Sequence, residues 1–351
     1  MIKNKWFRTL LLFVLVMTVA YLVGPNPKTP VYDKVLPSVP GSANELIRYI
    51  SENESKHKIK PNNEARIIWF NDTSRTKTEY AIVYLHGFSA SQEEGHPIHV
   101  NIARTFGCNL YLSRLAEHGI DTTVDLINLT PEKYWQSAEE ALQIGRQIGN
   151  KVVLMATSTG GTLALKLAAD YPEYIAGLVL LSPNVAINND KAYLLNNPWG
   201  LQIARMVTGD NNVTSKDDRE IYKQYWNYTY PLEATVQLQE LIETTMTPET
   251  FQNVKAPLQL LYFFKDEMHQ DSVVSVPAML DMYSKIGTPD SLKQKKALPN
   301  VNNHVIGSYI KSADLLSVQQ SVESFMKSVL KLEPIKDYSS LLPAEAKAVI
   351  Q

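Results

Sequence analysis

The stretch "KVVLMATSTGGTLALKLAADY", residues 151–171, decides how the rest of the chain is read. Its opening, KVVLMA, is a short continuous apolar run, the pattern of a strand buried on both faces. Its close, TLALKLAADY, is apolar at helical spacing and stops before Pro172. Ser158 stands at the join, in Ala156-Thr157-Ser158-Thr159-Gly160-Gly161. It is either a nucleophile lifted on a strained turn or an idle serine in a tight one. A nucleophile on such a turn needs small neighbours two positions to either side, so that strand and helix can approach closely. Gly160 meets that need, and Ala156 is the least bulky replacement for glycine at the other position. The helix that starts there aims its free N–H groups at developing negative charge.

Working outward, strands and helices alternate. EYAIVYL (79–85) reads as a buried strand, PIHVNIARTFG (97–107) as a helix and NLYLSRL (109–115) as a strand. PEKYWQSAEEALQIGRQIG (131–149) is a helix with Pro131 at its entry, and GLVLLSP (177–183) is a strand. LQLLYFF (258–264) and KQKKALP (293–299) are two later strands, and a last helix runs over about 312–332. ARIIWF, near the start, is a further strand, with a short helix over about 42–55 before it. This alternation predicts an α/β fold with a mostly parallel central sheet flanked by helices. Between Asn184 and Pro257 lie about seventy residues without a clear strand, too many for a plain loop, and they read as a helical insertion over the strand ends. The organisation expected is a core over 42–184 and 257–335, a lid over 185–256 and a tail over 336–351.

The charge balance excludes one class of partner. The 351 residues are 44% hydrophobic and 20% charged with a net charge of −2, so no basic excess exists to neutralise nucleic-acid phosphates. Cys108 is the single cysteine, which rules out an internal disulfide. At the N-terminus Lys3, Lys5 and Arg8 precede an apolar run from Leu10 to Val23. That order marks residues 1–24 as an uncleaved membrane anchor or a cleaved export signal, with the remainder of the chain outside the cytoplasm. Residues 25–41 carry Pro25, Pro27, Pro30, Pro37 and Pro40, an extended stalk by composition.

The remaining chemistry converges on Ser158. LHGFSAS (85–91) comes directly after a strand, and the Phe88 N–H with the Thr159 N–H would form an oxyanion hole. Of the seven histidines only His304 lies beyond the last predicted strand, in LPNVNNHVIGS, where it can fold back over the strand ends as a general base. His86 reads as structural, beside the oxyanion loop. His96 and His99 share a helical face, but no carboxylate or cysteine pattern completes a metal site, and neither metal nor cofactor is expected. After LQLLYFF, in KDEMHQDSVVS, the acids Asp271, Asp266 and Glu267 compete to orient the histidine. Asp271 is preferred because it precedes an apolar pair that starts a helix.

The order Ser158, Asp271, His304 is that of an α/β-hydrolase. From about Thr78 to Leu330 the chain resembles the monoacylglycerol-lipase, carboxylesterase and serine-aminopeptidase-like group of α/β-hydrolases, through HGFSAS, LYLSRLAEHG, ATSTGGTLAL, QDSVVS and NHVIGS. The resemblance implies a lid inserted after the sixth strand and a serine hydrolase that forms an acyl-enzyme. A lipophilic or acylglycerol-like ester is the expected substrate, with Trp199, Tyr225 and Trp226 of the insertion as candidate lining. A peptidase or amidase, and an inactive α/β-hydrolase that only binds, are the alternatives.

Overall fold

The computed structural model describes residues 2–335, so the tail expected over 336–351 lies outside the described residues. Helix α1 (Ile2–Leu22) comes first, and its window Lys5–Leu22 has a mean hydropathy of 1.6 with nothing buried. It is long and apolar enough to cross a membrane, the property that an anchor and an export signal share.

The proline-rich stretch after α1 is extended, as its prolines dictate, yet it lies along the body as a strap. The Trp135 indole N–H donates to the Asp33 carbonyl (3.2 Å), Gln143 Nε2 donates to the Pro37 carbonyl (3.0 Å), and Tyr32 Oη lies 2.7 Å from Thr244 Oγ1. Proline removes donors but leaves every carbonyl free to accept, so side chains of the body can hold such a strap without a ladder.

Helix α2 (Ala43–Glu54) leads into β1 (Arg66–Ile68), followed by β2 (Thr78–Leu85), α3 (Ile98–Thr105), β3 (Asn109–Leu112), α4 (Pro131–Ile148), β4 (Gly149–Thr157), α5 (Thr159–Asp170) and β5 (Ile175–Leu181). The insertion then supplies α6 (Gly200–Thr208), β6 (Asn212–Thr214), α7 (Glu220–Tyr225), β7 (Thr229–Pro231), α8 (Leu232–Thr245) and α9 (Pro248–Asn253). The chain returns with β8 (Leu258–Tyr262), β9 (Phe264–Asp266), β10 (His269–Gln270), α10 (Val276–Lys285), β11 (Lys293–Ala297) and α11 (Leu315–Ser328).

The central sheet has seven strands in the order β1-β3-β2-β4-β5-β8-β11, antiparallel only at β1. All seven overlap segments expected to be strands, with β2, β4 and β5 starting one or two residues earlier than expected. Successive side chains alternate between the faces. Ala81, Val83 and Leu85 join the core under α4 and α5, while Ile82 and Tyr84 join the core under α3 and α11.

Two details depart from expectation. The insertion follows the fifth strand of this sheet, one earlier than the count implied by the resemblance. It also contains an antiparallel strand pair, β6 with β7 on either side of α7, where no strand was expected. Its strands are three residues each, polar, and closed by Pro231, too short to show a period.

Candidate active site

Residues Phe88, Ser158, Asp271 and His304 each lie beyond the C-terminal end of a parallel strand (β2, β4, β8 and β11), so they gather at one edge of the sheet. That edge is where ligands bind in open α/β sheets.

Ser158 occupies φ 53°, ψ −121°, a conformation that residues with a Cβ rarely adopt. Three backbone hydrogen bonds hold it there. Its N–H donates to the Leu181 carbonyl (3.1 Å), and its carbonyl accepts from the N–H groups of Gly161 and Asn184 (both 2.8 Å). A Cβ on Gly160 would overlap the Leu85 carbonyl, so the tight passage of α5 past β2 requires glycine at that position. Ala156 sits fully buried in β4 opposite Leu85 and Leu180, where its methyl group is part of the core.

Asp271 and His304, separated by 33 residues in sequence, are joined: His304 Nδ1 lies 2.7 Å from Asp271 Oδ2. The other carboxylate oxygen of Asp271 accepts from the N–H groups of Val273 (2.9 Å) and Val274 (3.0 Å). Burial pushes the Asp271 carboxyl up, but the charge and hydrogen bond of His304 and the two N–H groups outweigh it and hold it below the usual range. Burial pushes His304 down, and Asp271 together with the Glu94 charge outweighs that, so the imidazole is raised above its ordinary value. With Nδ1 given to Asp271, His304 Nε2 is buried without a hydrogen-bond partner among the described residues, so the structure shows no hydrogen bond between it and Ser158 Oγ.

The competing acids are elsewhere. Asp266 lies on the exposed β9–β10 hairpin and accepts from the Met268 and His269 N–H groups and from His269 Nδ1 (2.8 Å). Glu267 turns to Gln270 on the same hairpin.

The turn after β2 runs alongside the serine. A Cβ on Gly87 would sit 2.9 Å from Ser158 Cβ. Two histidines pin this turn. His86 Nε2 accepts from the Leu115 N–H (3.0 Å), which leaves its Nδ1 to donate to the Gly87 carbonyl (2.9 Å). His118 Nε2 accepts from the Ser89 N–H (3.0 Å), and its Nδ1 donates to the Ala116 carbonyl (2.7 Å). Burial keeps both neutral, His86 pushed down to about 4 and His118 well below its ordinary value. The N–H groups of Phe88 and Thr159 donate to nothing among the described residues. His118 is the residue that sequence reasoning passed over. It stands inside the quoted LYLSRLAEHG, but only the fold brings it to Ser89.

The insertion closes over this edge. Tyr225 and Trp226 are buried against Ala90 and Val305, and the Asn227 N–H donates to the Ser89 carbonyl (2.6 Å). Tyr230 meets Phe88 edge-on at 5.1 Å. Trp199 is not brought to this cluster: its indole N–H donates to the Ala20 carbonyl and its backbone N–H to the Pro25 carbonyl (both 2.9 Å), clamping the foot of α1. Ser158 is left 7% exposed.

Residues 134–290 match the family model described as "Serine aminopeptidase, S33". No curated protein matches the chain in sequence. Solved structures match it in shape. A structure reported with the metagenome-derived lipolytic enzymes LipS and LipT aligns at 18% identity and TM-score 0.61, covering 77% of this chain and 99% of that one. The monoacylglycerol lipase of Paleococcus ferrophilus aligns at 12% identity and TM-score 0.54, over 75% of this chain and 97% of that one. The ferulic acid complex of Est1E from Butyrivibrio proteoclasticus aligns at 16% identity and TM-score 0.53, over 76% and 95%. The chain has the α/β-hydrolase fold.

Proposed function

We propose that this α/β-hydrolase-fold chain is a serine hydrolase of carboxylic esters, acting through Ser158, His304 and Asp271. His304 Nε2 takes the proton of Ser158 Oγ as the oxygen attacks the ester carbonyl carbon. The carbonyl oxygen, now negative, is held by the N–H groups of Phe88 and Thr159. His304 then gives the proton to the departing alkoxide, leaving an acyl-serine. Water, deprotonated by the same nitrogen, releases the acid and restores the serine. Asp271 fixes the Nδ1–H tautomer and steadies the imidazolium. No step needs a metal or cofactor. The observation that carries the reading is the buried Asp271–His304 pair at the sheet edge where Ser158 is held strained; His304 Nε2, unpartnered here, closes on Ser158 Oγ when substrate is bound.

The ester reading is favoured over a peptidase by the aromatic side chains that the insertion brings to this edge, Tyr225 and Trp226 against Ala90 and Val305 and Tyr230 against Phe88. Of the glutamates weighed as an anchor for a substrate amine, Glu233 is paired with Arg205, while Glu240 and Glu243 accept only amide N–H groups, from Asn196 and Gln239. Residues 185–256 act as a lid over a core of 42–184 and 257–335, with Tyr225, Trp226 and Tyr230 on its inner side. The near-complete burial of Ser158 means that substrate enters by displacing this segment. Apolar substrates fit such a lid, and α1 as an anchor, with Lys3, Lys5 and Arg8 on the cytoplasmic side, would set the enzyme beside lipid outside the cytoplasm.

A fluorophosphonate probe tests the reading. Labelling of the wild type but not of Ser158→Ala, with turnover of p-nitrophenyl esters above aminoacyl amides, is the expected result. No labelling of either would leave a binding module, and preferential amide turnover a peptidase.

A further inference from the structure

Glu94 lies in the short helical turn Gln92–Gly95 just past the oxyanion loop, and it is only 2% exposed. Its Oε2 accepts the Gly87 N–H at 2.5 Å. A Cβ on Gly87 would stand 3.0 Å from both carboxyl oxygens of Glu94 and 2.9 Å from Ser158 Cβ. The Gly87 backbone is therefore pressed between the serine and this carboxyl. Asp271 and Glu94 are the two carboxyls whose charge acts on His304.

The surroundings of Glu94 are otherwise short of charge. The groups within range of its charge are the neutral phenols of Tyr84 (β2), Tyr134 (α4) and Tyr222 (α7) and the imidazole of His304 in the loop before α11, with Glu93 its neighbour on its own turn. A buried carboxyl in such a place is costly to ionise unless something needs it. Among the described residues no lysine or arginine pairs with it, His304 is the one group whose charge offsets its own, and its one backbone partner is the N–H immediately before the proposed oxyanion donor.

We propose that Glu94 is a positioning residue of the hydrolytic reaction: its carboxyl grips the Gly87 N–H so that the next N–H, that of Phe88, is aimed at the oxyanion, and it faces His304 as a second carboxyl beside Asp271. The proposal rests on the Ser158–His304–Asp271 triad. Two consequences separate. The grip needs an acceptor oxygen, which glutamine also has. The influence on His304 needs a charge, which glutamine lacks. Burial drives the Glu94 carboxyl up to about 7, against the opposing pull of the Gly87 N–H and of His304, so its charge changes within the working range of a histidine base.

The test is the pH dependence of kcat and kcat/KM for Glu94→Gln and Glu94→Ala in the full chain, with thermal melts to establish folding. Glu94→Gln lowers kcat less than Glu94→Ala does and moves the acid limb of kcat/KM to lower pH, because removing the negative charge makes the imidazole easier to deprotonate. Glu94→Ala lowers kcat on the order of tenfold to a hundredfold with KM little changed, because a misaimed oxyanion donor weakens transition-state binding alone. If Glu94→Ala does not fold, the Gln profile decides. A Gln profile superimposed on the wild type, or an Ala variant that melts lower yet keeps the wild-type kcat, overturns the proposal and leaves a structural acid. Activity that survives in Ser158→Ala would overturn the triad reading instead.

Discussion

Two aspartate–histidine pairs lie in the same stretch of this molecule, and by distance they are twins. Asp266 and His269 meet at 2.8 Å, Asp271 and His304 at 2.7 Å. Everything else separates them. The first pair is closed by a three-residue turn, and its side chains are 50% and 66% exposed. The second spans two strand ends, and its side chains are 0% and 9% exposed. An exposed pair exchanges its bond with water at little cost, so it holds no orientation. The buried pair has no such exchange. The Val273 and Val274 N–H groups fix the carboxylate, the carboxylate fixes the imidazole, and the second imidazole nitrogen is left without a partner among the described residues, as the proposed base. Proximity identifies a hydrogen bond, whereas burial and anchoring make it an instrument.

The most severe way to break this comparison is Asp271→Asn. The amide keeps the volume but reverses the donor logic at Nδ1, so His304 no longer keeps Nε2 free to accept. Turnover should fall by roughly 10⁴-fold, the effect of an orienting-acid amide in a serine triad. Side-by-side ester assays with a circular dichroism spectrum for each variant check it. A loss below tenfold would mean that Asp271 anchors the loop without steering the histidine.

How far the sequence carried this comparison depends on range. The strands were legible because nearly all are local apolar runs, and Ser158 because strand, small residues and helix are consecutive. Asp271 could be preferred over Asp266 from the Ser272-Val273-Val274 run after it, since the N–H groups that hold the carboxylate belong to those valines. Local patterns failed where contacts are distant. Trp199 looked like a lining aromatic, but its partners are Ala20 and Pro25 at the far end of the chain. His118 and Glu94 carry no mark of their own in sequence, and their partners Ser89 and Gly87 are assigned by the fold. The prolines of 25–41 announced extension but not adhesion, because the strap is held by donors on α4.

The oxyanion side offers a sharper form of the same contrast, a buried histidine with no acid. His86 is pushed by burial to about 4, against the pull of its bond to the Gly87 carbonyl, and His118 is lowered by burial and by His86. Between pH 6.5 and about 4 the unfolded chain therefore takes up protons that the folded protein refuses. The stability these neutral rings contribute is present above pH 6.5 and is lost as pH falls towards 4. For His86 alone the loss is on the order of 3 kcal/mol. Glu94, raised by burial to about 7, and Glu139, raised to about 6, take up protons in the folded state over the same window and work the other way, so the loss is read by difference: the wild-type urea midpoint should fall further between pH 7 and pH 4.5 than that of His86→Gln. A wild-type midpoint that falls no further than that of His86→Gln would mean that this ring titrates in the folded protein as it does in the unfolded chain.

The mildest substitution tests the other half of the comparison. In Asp266→Asn the carboxamide oxygen still accepts the N–H groups of Met268 and His269, so the hairpin turn keeps its form. What is lost is the negative charge of Asp266, whose carboxyl is held below its usual range chiefly by the hydrogen bond from the His269 side chain and by the Met268 and His269 N–H groups. That charge stands in solvent, where its field is screened within a Debye length of about 8 Å. Turnover and urea midpoint should both be indistinguishable from the wild type. A collapse of kcat here, with Asp271→Asn still active, would exchange the two pairs: the β9–β10 hairpin would have to fold over the sheet edge and present Asp266 to His304 during catalysis.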